Sequence, residues 1–413
     1  MIGGVIVNAL IFLLSIKEAG IDMTKKYPIG AFIVGASVTP ITFASGIFLQ
    51  EATYSNLGTA GAGDGVYIES ATSIWTNPAV MSHIEDELTT VTGTLLNLEI
   101  NYYDDGNGRD GKSSSTLPVA GFFHVIDLGN DFKAGLALGS LGGATLDYGN
   151  EWRGRAQLTD VALLTYQFNP TLSYRVNEQW SVAGGVQVNY AFLQGNTASI
   201  ELDTSTSWAF GYNIGTVVQA TEKLKLGLSY RSELTHEFEG DVYTQRASGT
   251  YKTSLPSPAI SDLSVSYQLS PQLSLMSSIQ NHHWSAMEST DINMTIGNQL
   301  IPYTIDRDWD DVWRVSLGGE YQLHQGWSLK AGYAYESSPL DDPSKQSPDL
   351  PVGEQHRYSI GLSKKFDESK LDIYYELADF GKIDIKQESM RELFSLNGHF
   401  TGTVHFIGAA YTF

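Results

Sequence analysis

The sequence predicts an all-β fold: a transmembrane antiparallel β-barrel of about 14 strands with an N-terminal hatch, or plug, inside its lumen. Three observations predict it. Apolar and polar residues alternate with period two in segment after segment from residue 88 onward. Tight and long connections alternate between those segments, as periplasmic turns and outer loops do in outer-membrane barrels. No apolar run of the ~18 residues needed for a spanning helix follows residue 45, so a chain that crosses a bilayer must close its backbone hydrogen bonds in a barrel.

Composition agrees with membrane β-structure. Only 17% of the 413 residues are charged, while 41 Gly, 22 Tyr, 17 Phe and 8 Trp supply turn formers and aromatics. A net charge of −21 argues against phosphate-backbone binding, so nucleic acid is not an expected partner. Cysteine is absent, which excludes disulfides, thiolate metal sites and cysteine nucleophiles.

Residues 1–44 read as an export signal with its real start at Met23. Lys25 and Lys26 form the charged region, a short apolar stretch runs to Ile41, and Thr42 and Ala44 fit the cleavage pocket, with cleavage after Ala44. The expected compartment is the outer membrane of a Gram-negative cell. Residues 45–86 lose the alternation and carry Gly58, Gly61 and Gly63 and then Asn77-Pro78-Ala79. Leu57, Val66, Ile74, Trp75 and Val80 give this stretch more apolar surface than a disordered tail carries. A compact plug in a wide lumen uses it.

The barrel is expected over 87–413. Leu224, Leu226, Leu228, Tyr230 and Leu234 share one face, opposite Lys225, Ser229, Arg231, Glu233 and Thr235. Trp313, Val315, Leu317 and Tyr321 oppose Arg314, Ser316 and Glu320, and Tyr358, Ile360 and Leu362 oppose Arg357, Ser359 and Ser363. Tight turns are expected near residues 129, 177, 221, 270, 325 and 368. Long loops are expected near 104–115, 144–157, 195–205, 240–256, 291–308, 337–354 and 386–399. The chain ends on a strand with Ile407, Ala409, Tyr411 and Phe413 on one face, and Trp180 and Trp327 fit interfacial aromatic girdles. Gly139, Gly142 and Gly143 are candidates for a strand kink, since glycine within a strand marks a bulge or break.

Ser45-Gly46-Ile47-Phe48-Leu49-Gln50-Glu51, then Ser55-Asn56-Leu57-Gly58-Thr59-Ala60-Gly61-Ala62-Gly63, then Asn77-Pro78-Ala79-Val80-Met81 resembles the hatch of the long-chain fatty-acid transporter family, which also contains hydrocarbon-uptake channels. Weaker matches follow in order at Asn169-Pro170, Trp208-Ala209-Phe210-Gly211, Ser229-Tyr230-Arg231 and Leu255-Pro256-Ser257-Pro258. The resemblance implies uptake of hydrophobic small molecules, foremost long-chain fatty acids, by passive diffusion with hatch rearrangement and lateral exit into outer-membrane lipid. A monomer without cofactor or catalysis is expected. The fifth-to-sixth and seventh-to-eighth connections, long in well-known members, are short here. Ile47 and Phe48 become ligand contacts, and Gly58, Gly61, Gly63, Asn77, Pro78 and Ala79 become hatch positions.

A carboxylate ligand wants a cation in the lumen. Among the inward Lys225, Arg231, Arg314, Lys330 and Arg357, the ligand-binding candidates are Arg231, Arg314 and Lys330, with Arg314 and Lys330 on neighbouring strands as the best pair. Inward Glu233, Glu320, Glu336 and Glu376 compete for the same cations. Enzyme motifs fail: no G-x-S-x-G occurs, and Val66 stands where a dinucleotide fingerprint needs glycine. Adjacent His282 and His283 point to opposite strand faces and cannot chelate one metal, so no metal is expected. Two alternatives remain open at this point: an aromatic or alkane hydrocarbon channel, and a non-transporting barrel that displays loops to an adhesion partner or phage.

Overall fold

The computed structural model describes residues 50–85, 87–140, 143–387 and 395–413. The export signal, Ile47, Phe48 and Gly142 lie outside the described residues. Among the described residues, nineteen strand segments form the fourteen strands of one closed antiparallel wall. The first six are Leu88–Asp104, Gly111–Gly129, Phe132–Gly139 continued by Gly143–Asp147, Asp160–Arg175, Trp180–Asn196 and Ile200–Thr221. The seventh to tenth are each broken once: Leu224–Arg231 with Leu234–Thr244, Ser248–Ser257 with Ile260–Gln268, Leu273–His282 with Ser289–Ile296, and Gln299–Asp306 with Val312–Gln322. Trp327–Glu336, Gln355–Lys365, Lys370–Lys386 and Asn397–Thr412 complete the set. The last strand pairs with the first from Thr90↔Thr412 to Asp104↔Gly398, which closes the cylinder and leaves no sheet edge there.

Alternation sets the two faces as the sequence predicts over most of the wall. Trp313, Leu317, Leu329, Tyr358 and Ile360 are exposed outward, while Arg314, Ser316, Lys330, Arg357 and Ser359 are buried inward. The seventh strand departs from this reading. It breaks at Ser232-Glu233, and the two-residue interruption reverses the parity above it, so Leu234 turns into the interior and Glu233 is exposed. A single alternation over 224–238 is therefore corrected, and Glu233 is not a lumen residue.

Three of the expected long loops are also strand. Residues 195–205, 240–256 and 291–308 mostly extend the hairpins outward, leaving only 197–199, 245–247 and 297–298 as the connections. Their Asp, Gly and Ser content marks a ladder exposed to water beyond the bilayer. Residues 105–110, 148–159 and 337–354 are loops as expected.

The N-terminal segment, residues 50–85, lies against inward-facing side chains of the wall. It comprises short helices at Gln50–Thr53, Asp64–Val66, Ser73–Thr76 and Pro78–His83 joined by turns. Asn77 starts the last of these by accepting a hydrogen bond from Ala79 N at 3.1 Å, with Pro78 at the first position, where a missing N–H costs nothing. Its side-chain amide donates to Thr216 O on the sixth strand at 3.1 Å. Gly58 has φ 96°, and a Cβ there would sit 2.5 Å from Gly361 Cα on the twelfth strand. Glycine on both surfaces lets the segment's backbone lie directly on the wall.

Charge fastens the segment as firmly as packing. Arg357 binds Glu51 and stands 3.9 Å from Glu376, with all three buried. Glu69 pairs with Lys365 and, at 3.4 Å, with Lys370. Lys133 donates to Ile84 O at 2.6 Å, and Arg175 to Ser82 O. Buried charge is tolerated only when paired, so each side of this contact depends on the other.

Two predictions follow from these contacts. Arg357→Leu strands two buried carboxylates and is expected to destabilise the docked segment by about 3–5 kcal/mol; Arg357→Leu with Glu51→Leu is expected to cost less than the single change. Limited proteolysis of residues 50–85 in the otherwise resistant barrel reads both. The second concerns pH. Burial raises Asp64 from its ordinary 3.8 to about 6 and, with Lys225 and Arg175 nearby, lowers His83 from 6.5 to about 4. Docking thus loses the Asp64 contribution as pH rises through about 6 and the His83 contribution as pH falls from 6.5 towards 4. The two slopes oppose each other, so Asp64→Asn should make docking more acid-sensitive between pH 6.5 and 4 than in wild type; an unchanged profile would refute the assignment.

Candidate functional site

The third strand is described in two halves, with Ser140 between them outside any strand. Its lower half pairs with the fourth strand up to Gly139↔Gln167, and its upper half resumes at Gly143↔Leu164. On its other side, the ladder to the second strand runs only from Gly129↔Phe132 to Phe122↔Leu138. Above that point, among the described residues, no ladder joins residues 111–121 to 143–147. Asp147 N donates to Ser113 Oγ at 2.9 Å and ties the two strands together at the top. Among the described residues the stretch of wall between these ties is not laddered, and we read it as a candidate slot. Pro118 on its rim has no N–H to leave unpaired, and Leu117 and Val119 pack beside it against the interior cluster of Leu96, Leu98 and Leu158. Gly139 and Gly143 flank the break.

A second interruption, between the sixth and seventh strands, is closed. Their ladder lapses between Leu202↔Val242 and Asn213↔Arg231. Tyr212 N donates to Ser232 Oγ and Ser232 N to Tyr212 O, each at 2.9 Å, and Ala209 packs with Leu234 in one cluster.

Trp75, on the one-turn helix Ser73–Thr76, separates this slot from a buried cation. One edge of its indole lies against Gly139, where a Cβ would come 3.2 Å from the ring. Phe123 meets it edge-on at 6.1 Å between centroids. Arg231 lies over the indole at 4.8 Å and donates to Trp75 O at 2.5 Å and to Gln187 Oε1. Trp75, Thr76, Ser229, Arg231, Ile260, Asp262 and Gln280 line a small cavity at this point. Asp262 shares it but is satisfied elsewhere, accepting from Ser264 at 2.7 Å and Gln280 at 3.0 Å.

The three sequence-predicted cations fare differently. Arg314 binds Tyr54 OH, reaches Ala60 O at 3.3 Å and stands 4.0 Å from Glu336. Lys330 pairs with Asp372 at 2.8 Å and meets Tyr67 OH at 3.3 Å. They do not form a pair, because the antiparallel register sets Arg314 opposite Glu336 and Lys330 opposite Glu320, six positions apart along the strand. Arg231 is buried and has no carboxylate partner among the described ion pairs. Lys225 lies near the lower end of its strand, opposite Gln219 and Ser266, away from this cavity.

Sequence reasoning did not single out Trp75 as a site residue or Glu51 as an anchor. Trp75 was legible only as apolar content of the plug; its place next to an Asn-Pro helix start, which fixes a buried turn, was the available signal. Glu51 pairs with a residue 306 positions away, and nothing local indicates that.

Comparisons with known proteins agree with this architecture. The family described as outer membrane protein transport protein (OMPP1/FadL/TodX) matches residues 35–413. The long-chain fatty acid transport protein of Escherichia coli O6:H1 is 23% identical over 388 residues, covering 81% of this chain and 86% of that one. Outer membrane protein P1 of Haemophilus influenzae is 22% identical over 407 residues, covering 83% and 88%. Among solved structures, a Pseudomonas aeruginosa FadL homologue superposes with a TM-score of 0.81 at 19% identity, covering 89% of this chain and 99% of that one. The Pseudomonas putida toluene transporter TodX gives 0.69 at 14% identity, covering 90% and 98%. A closed fourteen-strand wall with this match over nearly its full length makes the chain a member of the FadL/TodX family of outer-membrane transport proteins.

Proposed function

We propose that this chain is a passive uptake channel for hydrophobic small molecules, foremost long-chain fatty acids, and that it releases them sideways into the outer membrane. The observation that carries the reading is the candidate slot at the third strand, where the ladder to the second strand stops at Phe122↔Leu138. Residues 45–86 act as the hatch, and the protein works as a monomer without catalysis. Lateral release suits such a ligand, since each methylene kept out of water is worth about 0.8 kcal/mol and transfer from slot to bilayer never exposes the chain.

Arg231 supports the fatty-acid form of the reading. A buried guanidinium without a counterion is costly, and a carboxylate in the adjoining cavity would relieve that cost. Arg314 and Lys330, by contrast, hold the hatch. A hydrocarbon channel is the second reading, favoured by the apolar lining of the slot; it makes Arg231 a purely structural contact to Trp75. A display barrel needs neither slot nor cavity.

Two measurements test these readings. The lower second–third ladder, extended upward, sets Ser115 opposite Thr145 across the slot, and the chain has no native cysteine. Ser115→Cys with Thr145→Cys, oxidised, is expected to slow oleate uptake into cells at least tenfold, with recovery on reduction; uptake indifferent to the cross-link would sink lateral exit. Arg231→Gln is expected to weaken equilibrium binding of oleate by about tenfold or more, the worth of one charge-assisted contact, while binding of methyl oleate stays unchanged. Equal losses for both ligands would move the assignment to the hydrocarbon channel.

A further inference from the structure

Beside the slot, the inner wall carries a patch of neutral amides that neither the hatch nor the ion pairs account for. Gln167 and Asn169 on the fourth strand, Gln187 and Asn189 on the fifth and Asn213 on the sixth are all buried and face inward. They bond to one another: Asn169 Nδ2 donates to Asn213 Oδ1 at 3.1 Å and Asn189 Nδ2 to Gln167 Oε1 at 3.4 Å. His236 Nε2 meets Asn189 Oδ1 at 3.0 Å. Three atoms of the patch nevertheless have no partner: Gln167 Nε2, Asn169 Oδ1 and Asn213 Nδ2. An unpaired buried polar atom costs about 1–3 kcal/mol, so three together, in one patch, need a reason.

Position supplies the reason. Gln167 is the ladder partner of Gly139, the last residue of the third strand's lower half, so its amide stands one strand away from the candidate slot. At the other end Gln187 accepts from Arg231. Asn189 lies two residues further along the same strand, about 7 Å outward. A chain with its carboxylate at Arg231 that runs to the slot passes these amides.

We infer that the amide patch is a second polar subsite, which takes an uncharged oxygen function, hydroxyl or carbonyl, on the acyl chain. The preferred substrate class is then an oxygenated long-chain acid. The inference rests on the fatty-acid reading above. Amides suit this task because they offer both donor and acceptor without charge. Gln167 Nε2 and Asn213 Nδ2 donate to a carbonyl or hydroxyl oxygen, and Asn169 Oδ1 accepts from a hydroxyl. A site built to bond such a group discriminates against the analogue that lacks it, because its own amides are then left unpaired.

The test is equilibrium binding of stearate and of a positional series of monohydroxystearates to the full-length barrel in detergent, in wild type, Gln167→Met and Asn189→Leu. At least one hydroxystearate should bind wild type about tenfold more tightly than stearate, and that preference should vanish in both variants while stearate affinity holds or rises. If a variant fails to fold, Gln167→Asn, which keeps the amide but withdraws it by one methylene, should reduce the preference in its place. Stearate binding with no hydroxystearate preferred overturns the subsite and leaves the channel reading standing. Failure of every ligand to bind overturns the channel reading itself.

Discussion

An amide N–H facing hydrocarbon has no water to turn to, and that constraint shapes this molecule from end to end. It dictates the closed cylinder, with the final strand returning to pair with the first along Leu88–Asp104. It also explains how the wall handles its interruptions. Between the sixth and seventh strands, where a two-residue break reverses the side-chain parity, Ser232 and Gln187 satisfy the backbone of Tyr212. At the third strand the chain leaves the ladder at Gly139 and resumes it at Gly143. Pro118 on the facing strand brings no donor of its own, which lowers the cost of standing open. An opening in a membrane wall is expensive, and the sequence around this one is arranged to reduce the expense.

The lumen obeys a second constraint, that charge cannot be buried alone. Cations projecting inward from the tenth to thirteenth strands would be intolerable in an empty apolar tube. Here they meet Glu51, Tyr54, Tyr67 and Glu69 of the N-terminal segment or carboxylates of the wall. The N-terminal segment is therefore a counter-charge as well as a filler. This also separates two kinds of lumen arginine. Arg314 and Arg357 sit among carboxylates and phenols that answer them, while Arg231 is answered by a carbonyl, an amide and an indole, all neutral.

Much of this was legible in the sequence because it follows from local rules. Period-two alternation assigned the faces of the tenth to twelfth strands, and the turn residues located every tight lower connection. The kink glycines flank the break because an interruption needs residues with little side chain to reposition. What escaped was non-local. The parity change at Ser232-Glu233 looks like continuous alternation, since Leu234 falls in phase with Leu228 if no residue is skipped. The hairpin extensions read as loops because polar strands beyond the bilayer share the composition of loops. Arg314 and Lys330 seemed to form a pair because adjacency of strands was visible but register was not. The partners of the lumen cations lie hundreds of residues away, and no spacing in the chain encodes them.

Trp75 joins the two halves of the candidate site and, on the proposed reading, gives the N-terminal segment a mechanical role. Its indole fills the space between Gly139 at the slot and Arg231 at the cavity, so a ligand cannot occupy the cavity and extend into the slot while that ring stays in place. The contacts that hold the ring are modest. A cation over an indole contributes about 0.5–2 kcal/mol and an edge-on aromatic contact about 0.5–1.5 kcal/mol, less than the about 3–5 kcal/mol that breaking the buried Arg357–Glu51 pair costs. On the proposed reading, a carboxylate arriving at Arg231 would compete for the same guanidinium face and with the bond to Trp75 O. On the proposed reading, the weakest link between the N-terminal segment and the wall is then the one that the ligand itself would contest, so that a passage would open locally at Trp75 while the charged anchors keep the rest of the segment seated.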